Sequence, residues 1–125
     1  MRALVVDDSG AVRAYLRKIL AALGFEVAEA GDGREALGSL RSYPAMSLVL
    51  LDWNMPGMNG IEVLSEMRAD PTFGDVCVMM VTTETATEEI TYALNSGANE
   101  YVMKPFTPDI IHQKLQALGF CPTSA

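Results

Sequence analysis

The sequence predicts a doubly wound α/β domain, a five-stranded parallel sheet flanked by five helices in three layers. Two observations lead there. Short, nearly continuous apolar segments recur along the chain, each ending in a polar residue, and longer segments of helical periodicity separate them. Continuous apolar character marks strands covered on both faces, as parallel sheets are. Regular alternation of such strands with helices implies right-handed crossover connections. A chain of 125 residues can bury one core without metal or disulfide staples, so a single domain over residues 1–125 is expected.

The first strand is expected at residues 3–6. Val12, Leu16, Ile19, Leu20 and Leu23 then recur at helical spacing, and Gly24 ends the pattern as a helix C-terminal glycine does. Residues 25–30 read as an edge strand, because Glu26 and Glu29 interrupt the apolar run. A helix at 34–41 leads to the third strand at 47–51, and a helix at 61–68 leads to the fourth at 76–81. In that fourth strand Met79 and Met80 are packing residues, and Cys77 is expected as a small buried thiol. Thr85 with Glu88 has the form of a capping box opening a helix at 88–95, which Gly97 stops. The fifth strand is 100–103, and Thr107 followed by Pro108 opens a last helix at 108–118. Its single histidine, His112, stands beside Gln113 and Lys114 and is expected on a solvated face.

Asp and Glu number 16 against 9 Lys and Arg, giving a formal net charge of −7. Such a surface repels phosphate backbones and anionic headgroups, and the densest cationic stretch, residues 13–18, holds only Arg13, Arg17 and Lys18. Nucleic-acid and membrane partners are therefore not expected. No apolar run reaches the length of a bilayer span, and the apolar residues after Arg2 run straight into Asp7 and Asp8 without a signal-peptide pattern. A cytoplasmic location is the expectation. Cys77 and Cys121 are too few for a disulfide framework or a zinc site.

Ligands of doubly wound sheets bind at the carboxyl ends of the strands. The sequence places Asp7 and Asp8 after the first strand, Asp52 after the third, Thr82 and Thr83 after the fourth, and Lys104 and Pro105 after the fifth. Carboxylates crowded on one rim repel and require a neutralising partner. Mg²⁺, which takes carboxylate, water and phosphate oxygens, suits that set. A nucleotide cradle does not: the first turn, Asp7-Asp8-Ser9-Gly10, would repel phosphate, and no glycine-rich phosphate motif follows any strand.

Asp7-Asp8, the run Asp52-Trp53-Asn54-Met55-Pro56-Gly57-Met58-Asn59-Gly60, Thr82, Tyr101 and Lys104-Pro105-Phe106 together resemble the signature of bacterial two-component response-regulator receiver domains. The resemblance covers essentially the whole chain. The wording from Asp52 to Pro56 and the stand-alone length are most similar to the family's chemotaxis regulators. It implies a flavodoxin-like sandwich with strand order 2-1-3-4-5, no output domain, and a phosphorylation-controlled binding module. Such a module is not an enzyme beyond catalysing its own phosphorylation and dephosphorylation.

By the same resemblance Asp52 is the phosphoacceptor, served by the phosphohistidine of a sensor histidine kinase. Asp7, Asp8, Asp52 and the backbone carbonyl of Asn54 hold Mg²⁺, Asp8 most directly, with Trp53 beside the metal. Lys104 pairs with Asp52 at rest and with a phosphate oxygen afterwards, next to a cis Pro105. Thr82 gives its hydroxyl to the phosphoryl group, and Tyr101 turns into the space vacated. Asn54, Thr83 and Glu84 flank the pocket mouth and tune turnover, Thr83 standing where the family mostly carries Ala or Gly. Ile90, Tyr101 and Met103 lie on the partner face. The implied partners of this monomer are the kinase and an output protein such as a flagellar motor switch or a phosphotransfer protein. A phosphorelay intermediate or a regulator of another two-component pathway is the alternative. A haloacid-dehalogenase-type phosphohydrolase fits less well, because that chemistry wants an acid two residues after the nucleophile, where Asn54 stands.

Overall fold

The computed structural model describes residues 1–43, 45–83 and 87–120, with only the backbone of Thr87. Glu84, Thr85 of the expected capping box and Cys121 lie outside the described residues. In chain order the elements are β1 (Arg2–Val6), α1 (Gly10–Ala22), β2 (Glu26–Ala30), α2 (Gly33–Ser42), β3 (Met46–Asp52), α3 (Gly60–Ala69), a 3₁₀ turn (Pro71–Phe73), β4 (Cys77–Thr82), α4 (Thr87–Asn95), β5 (Glu100–Met103) and α5 (Pro108–Ala117). Every expected strand and helix is present, with ends displaced by a residue or two. The sheet is wholly parallel with order β2-β1-β3-β4-β5.

Alternation along the strands explains why their sequences are apolar throughout. Leu4, Val6, Val49, Leu51, Val78 and Met80 face one side, where they pack with Ala36 and Leu40 of α2 and Val63, Leu64 and Met67 of α3. Ala3, Val5, Leu48, Leu50, Met79 and Val81 face the other, against Leu16, Ile19 and Leu20 of α1 and Ile111 and Leu115 of α5. Both faces are covered, so neither phase of the alternation can be polar. β2 is one of the two edges, and its glutamates are engaged: Glu26 with Arg2 at 3.0 Å, and Glu29 with Arg13 at 3.1 Å and Arg17 at 2.6 Å.

Local chemistry sets the helix ends. The Ser9 hydroxyl accepts from the Val12 N–H at the start of α1, and Thr107 caps α5 with Pro108 in its first turn. The first turn of α3 begins earlier than its apolar pattern suggests, because Asn59 and Glu62 form a reciprocal capping box. Gly97 has a φ of +114°, which stops α4 as expected. Two expectations need correction. His112 is half-buried rather than solvated, its Nε2 enclosed without a hydrogen-bond partner among the described residues, because its position borders the buried Ile111. Cys77, the first residue of β4, is half-buried rather than fully enclosed.

Candidate functional site

The parallel register brings the strand ends level. Val6 lies opposite Leu51, Asp52 opposite Val81, and Thr82 opposite Met103. The ladder runs slightly past the strands themselves: the Asp7 N–H donates to Ala30 O at 3.1 Å, Trp53 N–H to Val81 O at 3.2 Å, and Lys104 N–H to Thr82 O at 2.8 Å. Asp7, Asp52, Thr82 and Lys104 are thereby fixed to one rim by the sheet itself. Among the described residues the buried polar or charged side chains are Asp7, Asp52 and Thr82, all of them on this rim. Burial of polar groups elsewhere is avoided because it costs free energy unless they are paired. Their concentration here marks the place where the fold bears that cost.

Three carboxylates, from Asp7, Asp8 and Asp52, each present an oxygen within 4.8 Å of the others. Asp7 is held at both ends, one oxygen accepting from the Ser9 N–H at 2.9 Å and the other from Lys104 Nζ at 2.9 Å. Lys104 Nζ also reaches Asp52 Oδ1, at 3.3 Å. The expected Lys104–Asp52 pair is present, but the shorter contact of the ammonium is to Asp7. Asp8 is exposed at the mouth. Arg13, read in the sequence only as one of three nearby cations, donates from Nη1 to the Asp7 carbonyl oxygen at 2.7 Å and so ties α1 to the acidic turn.

Burial pushes the Asp52 carboxyl above the usual carboxylate range, and the Asp7 charge adds to this, while Lys104 opposes it. Burial pulls the Lys104 ammonium down, but its hydrogen bond to Asp7 and the two carboxylate charges prevail and leave it above its ordinary value. One ammonium thus faces three acids. The donor set is all oxygen, compact and short of positive charge, which fits a hard divalent cation.

A stability prediction follows from that imbalance. Because the Asp52 pKa is raised in the folded chain, the native state holds its proton more tightly than the unfolded chain does. Stability is then lost as pH rises from the ordinary carboxylate range through the raised value, and the penalty is complete only above it. At an effective dielectric of about 20, like charges this close repel by about 3 kcal/mol, and Lys104 offsets part of it. Asp52→Asn should therefore be more stable than wild type by about 1–2 kcal/mol in a chelator at pH 7. Adding Mg²⁺ should stabilise the wild type more than the variant. Urea midpoints measure both, and a variant less stable than wild type in chelator would contradict the repulsion.

The other expected residues are distributed around the rim. Trp53 and Tyr101 are half-buried and pack against the core on the α2–α3 side, and Lys114 Nζ sits 4.7 Å from the Tyr101 ring centroid. Asn54 is exposed, Ile90 is half-buried and Met103, the last residue of β5, is exposed. The Lys104–Pro105 peptide bond is cis. Thr83 is exposed and lines a recess of about 470 Å³ with Ala11, Val12, Tyr15, Lys104, Pro105 and Phe106. Its wall includes the Tyr15 and Phe106 rings, 5.7 Å apart. This apolar recess beside the acidic rim has no signature in the sequence, since its residues come from three separated segments. Among the described residues, no helix is long and apolar enough to cross a membrane.

The response regulator receiver domain model matches residues 3–116. Chemotaxis protein CheY1 of Helicobacter pylori J99 is 40% identical over 119 residues, which cover 94% of this chain and 96% of that protein. Chemotaxis protein CheY of Pseudomonas aeruginosa is 40% identical over 94% of this chain and 95% of its own. Among solved structures, the Vibrio cholerae chemotaxis protein CheY4 superposes with a TM-score of 0.87 at 34% identity, covering 93% of this chain and 96% of that one. A CheY-like receiver domain protein from Methanospirillum hungatei gives 0.84 at 32% identity, with 94% and 91% covered. These likenesses extend over nearly the whole of both chains in each comparison, and on that ground the protein belongs to the response regulator receiver domain family, among its CheY-like members.

Proposed function

We propose that this chain is a phosphorylation-controlled binding module in which Asp52 accepts a phosphoryl group from the phosphohistidine of a sensor histidine kinase. An output protein then reads the altered surface. The observation that supports this most is the rim itself: a buried carboxylate at a strand end, flanked by two further acids and bridged by one ammonium that also grips Asp7. Asp7, Asp8, Asp52 and the Asn54 backbone carbonyl would hold Mg²⁺, which when bound supplies the positive charge that lets an anionic donor approach three carboxylates.

The chain's own residues do the rest. An Asp52 oxygen attacks phosphorus, and the donor's phosphorus–nitrogen bond breaks as the oxygen–phosphorus bond forms. Lys104, anchored by Asp7, stays in place to offset charge on the transferring group when Asp52 becomes an acyl phosphate. The Thr82 hydroxyl donates to the phosphoryl oxygens. Phosphate contacts then favour one of two arrangements of Thr82 and Tyr101, a two-state equilibrium biased by better bonding to one state. Asn54 and Thr83 at the mouth, together with Glu84 by its place in the family pattern, govern how readily water reaches the acyl phosphate. Ile90, Tyr101 and Met103 form part of the α4–β5–α5 face that meets the output partner, for which the relatives' names suggest chemotaxis and hence a flagellar motor switch.

Incubation with Mg²⁺ and acetyl phosphate tests the proposal by intact mass. The wild type is expected to gain one phosphoryl group, with none on Asp52→Asn and none after chelation. An unmodified wild type, or equal modification of the variant, would refute it.

A further inference from the structure

Away from the rim, one groove of the described surface has a consistent chemistry. Between α3 and α4 lies a depression of about 440 Å³ whose lining includes Met58, Ile61, Glu62, Glu66 and Tyr92. Tyr92 also lines a second hollow of about 360 Å³ together with Glu88, so the two meet at its ring. Tyr92 is 57% exposed, more than any other large hydrophobic residue described except the N-terminal Met1. Met58 and Ile61 are half-buried, with the core behind them.

The charge lining both hollows has a single sign. Every charged residue in them is a glutamate. Glu26, Glu29 and Glu100 elsewhere are engaged by Arg or Lys, whereas among the described residues no ion pair involves Glu62, Glu66 or Glu88. An apolar floor between uncompensated acids and an exposed aromatic face is complementary to an amphipathic segment that alternates apolar and cationic side chains. Tyrosine attracts ammonium and guanidinium groups over its face. A methionine adapts its shape to an inserted apolar group. Nucleic acid and anionic lipid are repelled by the same acids.

We infer that the α3–α4 groove docks a basic amphipathic segment of a protein partner. One apolar side chain of the segment seats against Met58 and Ile61, and its Lys or Arg side chains meet Glu62 and Glu66 and lie over Tyr92. Ile90, Tyr101 and Met103 do not line it, so it is separate from the α4–β5–α5 face proposed for the output partner. Because the attraction comes from solvent-exposed charges, the binding weakens as salt is raised.

Titrating ¹⁵N-labelled protein with a synthetic amphipathic peptide of Leu and Lys tests this. Saturable amide shifts are expected at Met58, Ile61, Glu66 and Tyr92. Affinity should fall about tenfold or more in Glu66→Lys and in Tyr92→Ala, the size of effect typical of an interface anchor. A peptide carrying Glu in place of Lys should not bind. Both variants alter exposed positions, and acetyl phosphate should modify Asp52 in them as in wild type, which separates failure of the groove from failure of the phosphoacceptor site. The inference is overturned if shifts scatter over the acidic surface without saturating, if they fall only on Tyr101 and Met103, or if the variants bind as wild type does.

Discussion

Gly60→Ala is expected to destabilise this protein by about 3 kcal/mol or more, because there is no room for one methyl group at that position. A Cβ on Gly60 would collide with the backbone carbonyl oxygen of Asp52 and lie 3.0 Å from both the Trp53 Cα and the Met80 methyl. Met80 can rotate its methyl away. The backbone at 52–53 can yield only by lengthening the Gly60 N–H to Trp53 O bond, which is 2.9 Å, and by dragging the end of β3 off its register with β4. Overpacking typically costs about 1–3 kcal/mol, and the strained hydrogen bond adds about 1 kcal/mol. Gly38→Ala is the control, since a Cβ there meets nothing within 4 Å inside α2. Alanine should stabilise that helix by about 0.5–1 kcal/mol. Denaturant unfolding of both variants decides the matter: a Gly60→Ala protein within about 1 kcal/mol of wild type would mean that the close approach has no energetic weight.

Arg68→Met is expected to cost about 3 kcal/mol, although none of the side chain's hydrogen-bond partners belongs to the acidic rim. From the last turn of α3 its guanidinium donates to Gly97 O at 3.0 Å, Phe73 O at 3.0 Å, Val76 O at 2.8 Å and Asn99 Oδ1 at 3.0 Å. The Asn99 oxygen also accepts from the Val78 N–H at 2.9 Å, so the network reaches into β4. Gly97 leaves room for the arginine stem, since a Cβ there would strike its Cγ. Burial pulls the Arg68 pKa below its ordinary value, so the ion's lost hydration must be replaced by carbonyl dipoles. Methionine keeps the stem and removes all the donors. Hydrogen bonds from a charged group contribute about 1.5–3 kcal/mol each, and water recovers part of that at a half-buried position. Amide exchange should accelerate around 73–78 and 97–99 in the variant. Wild-type stability and protection would show that the network is dispensable.

These two positions show where sequence reasoning reaches and where it stops. The strands were legible because a sheet covered on both faces admits no polar phase, and the β2 edge was legible because Glu26 and Glu29 break that rule. The acids, threonine and lysine of the rim were legible because each directly ends a strand, and the parallel register does the rest. Arg68 was not legible. Its partners are mostly main-chain carbonyls in separate segments, and a carbonyl has no signature in the sequence. The shorter grip of Lys104 on Asp7 depends on which way the Ser9 N–H turns the carboxylate, and the hold of Arg13 on the Asp7 carbonyl depends on the pitch of α1. The Asn59–Glu62 capping box is a different case: the pattern stood in the sequence, within a run read for its chemistry rather than for helix initiation.

The bridge from Lys104 to Asp7 joins residues 97 positions apart, and that from Lys104 to Asp52 joins residues 52 apart. β1 and the end of β5 are not neighbours in the sheet, so both bridges can close only after β3 and β4 are in place between them. The rim therefore comes into being as a whole or not at all. On the ribosome, a growing chain that has already exposed Asp7, Asp8 and Asp52 still lacks its ammonium until the fifth strand has emerged and docked. Three acids without that counter-charge repel one another. A copy that ends before β5 thus carries the three acids without the ammonium that bridges them.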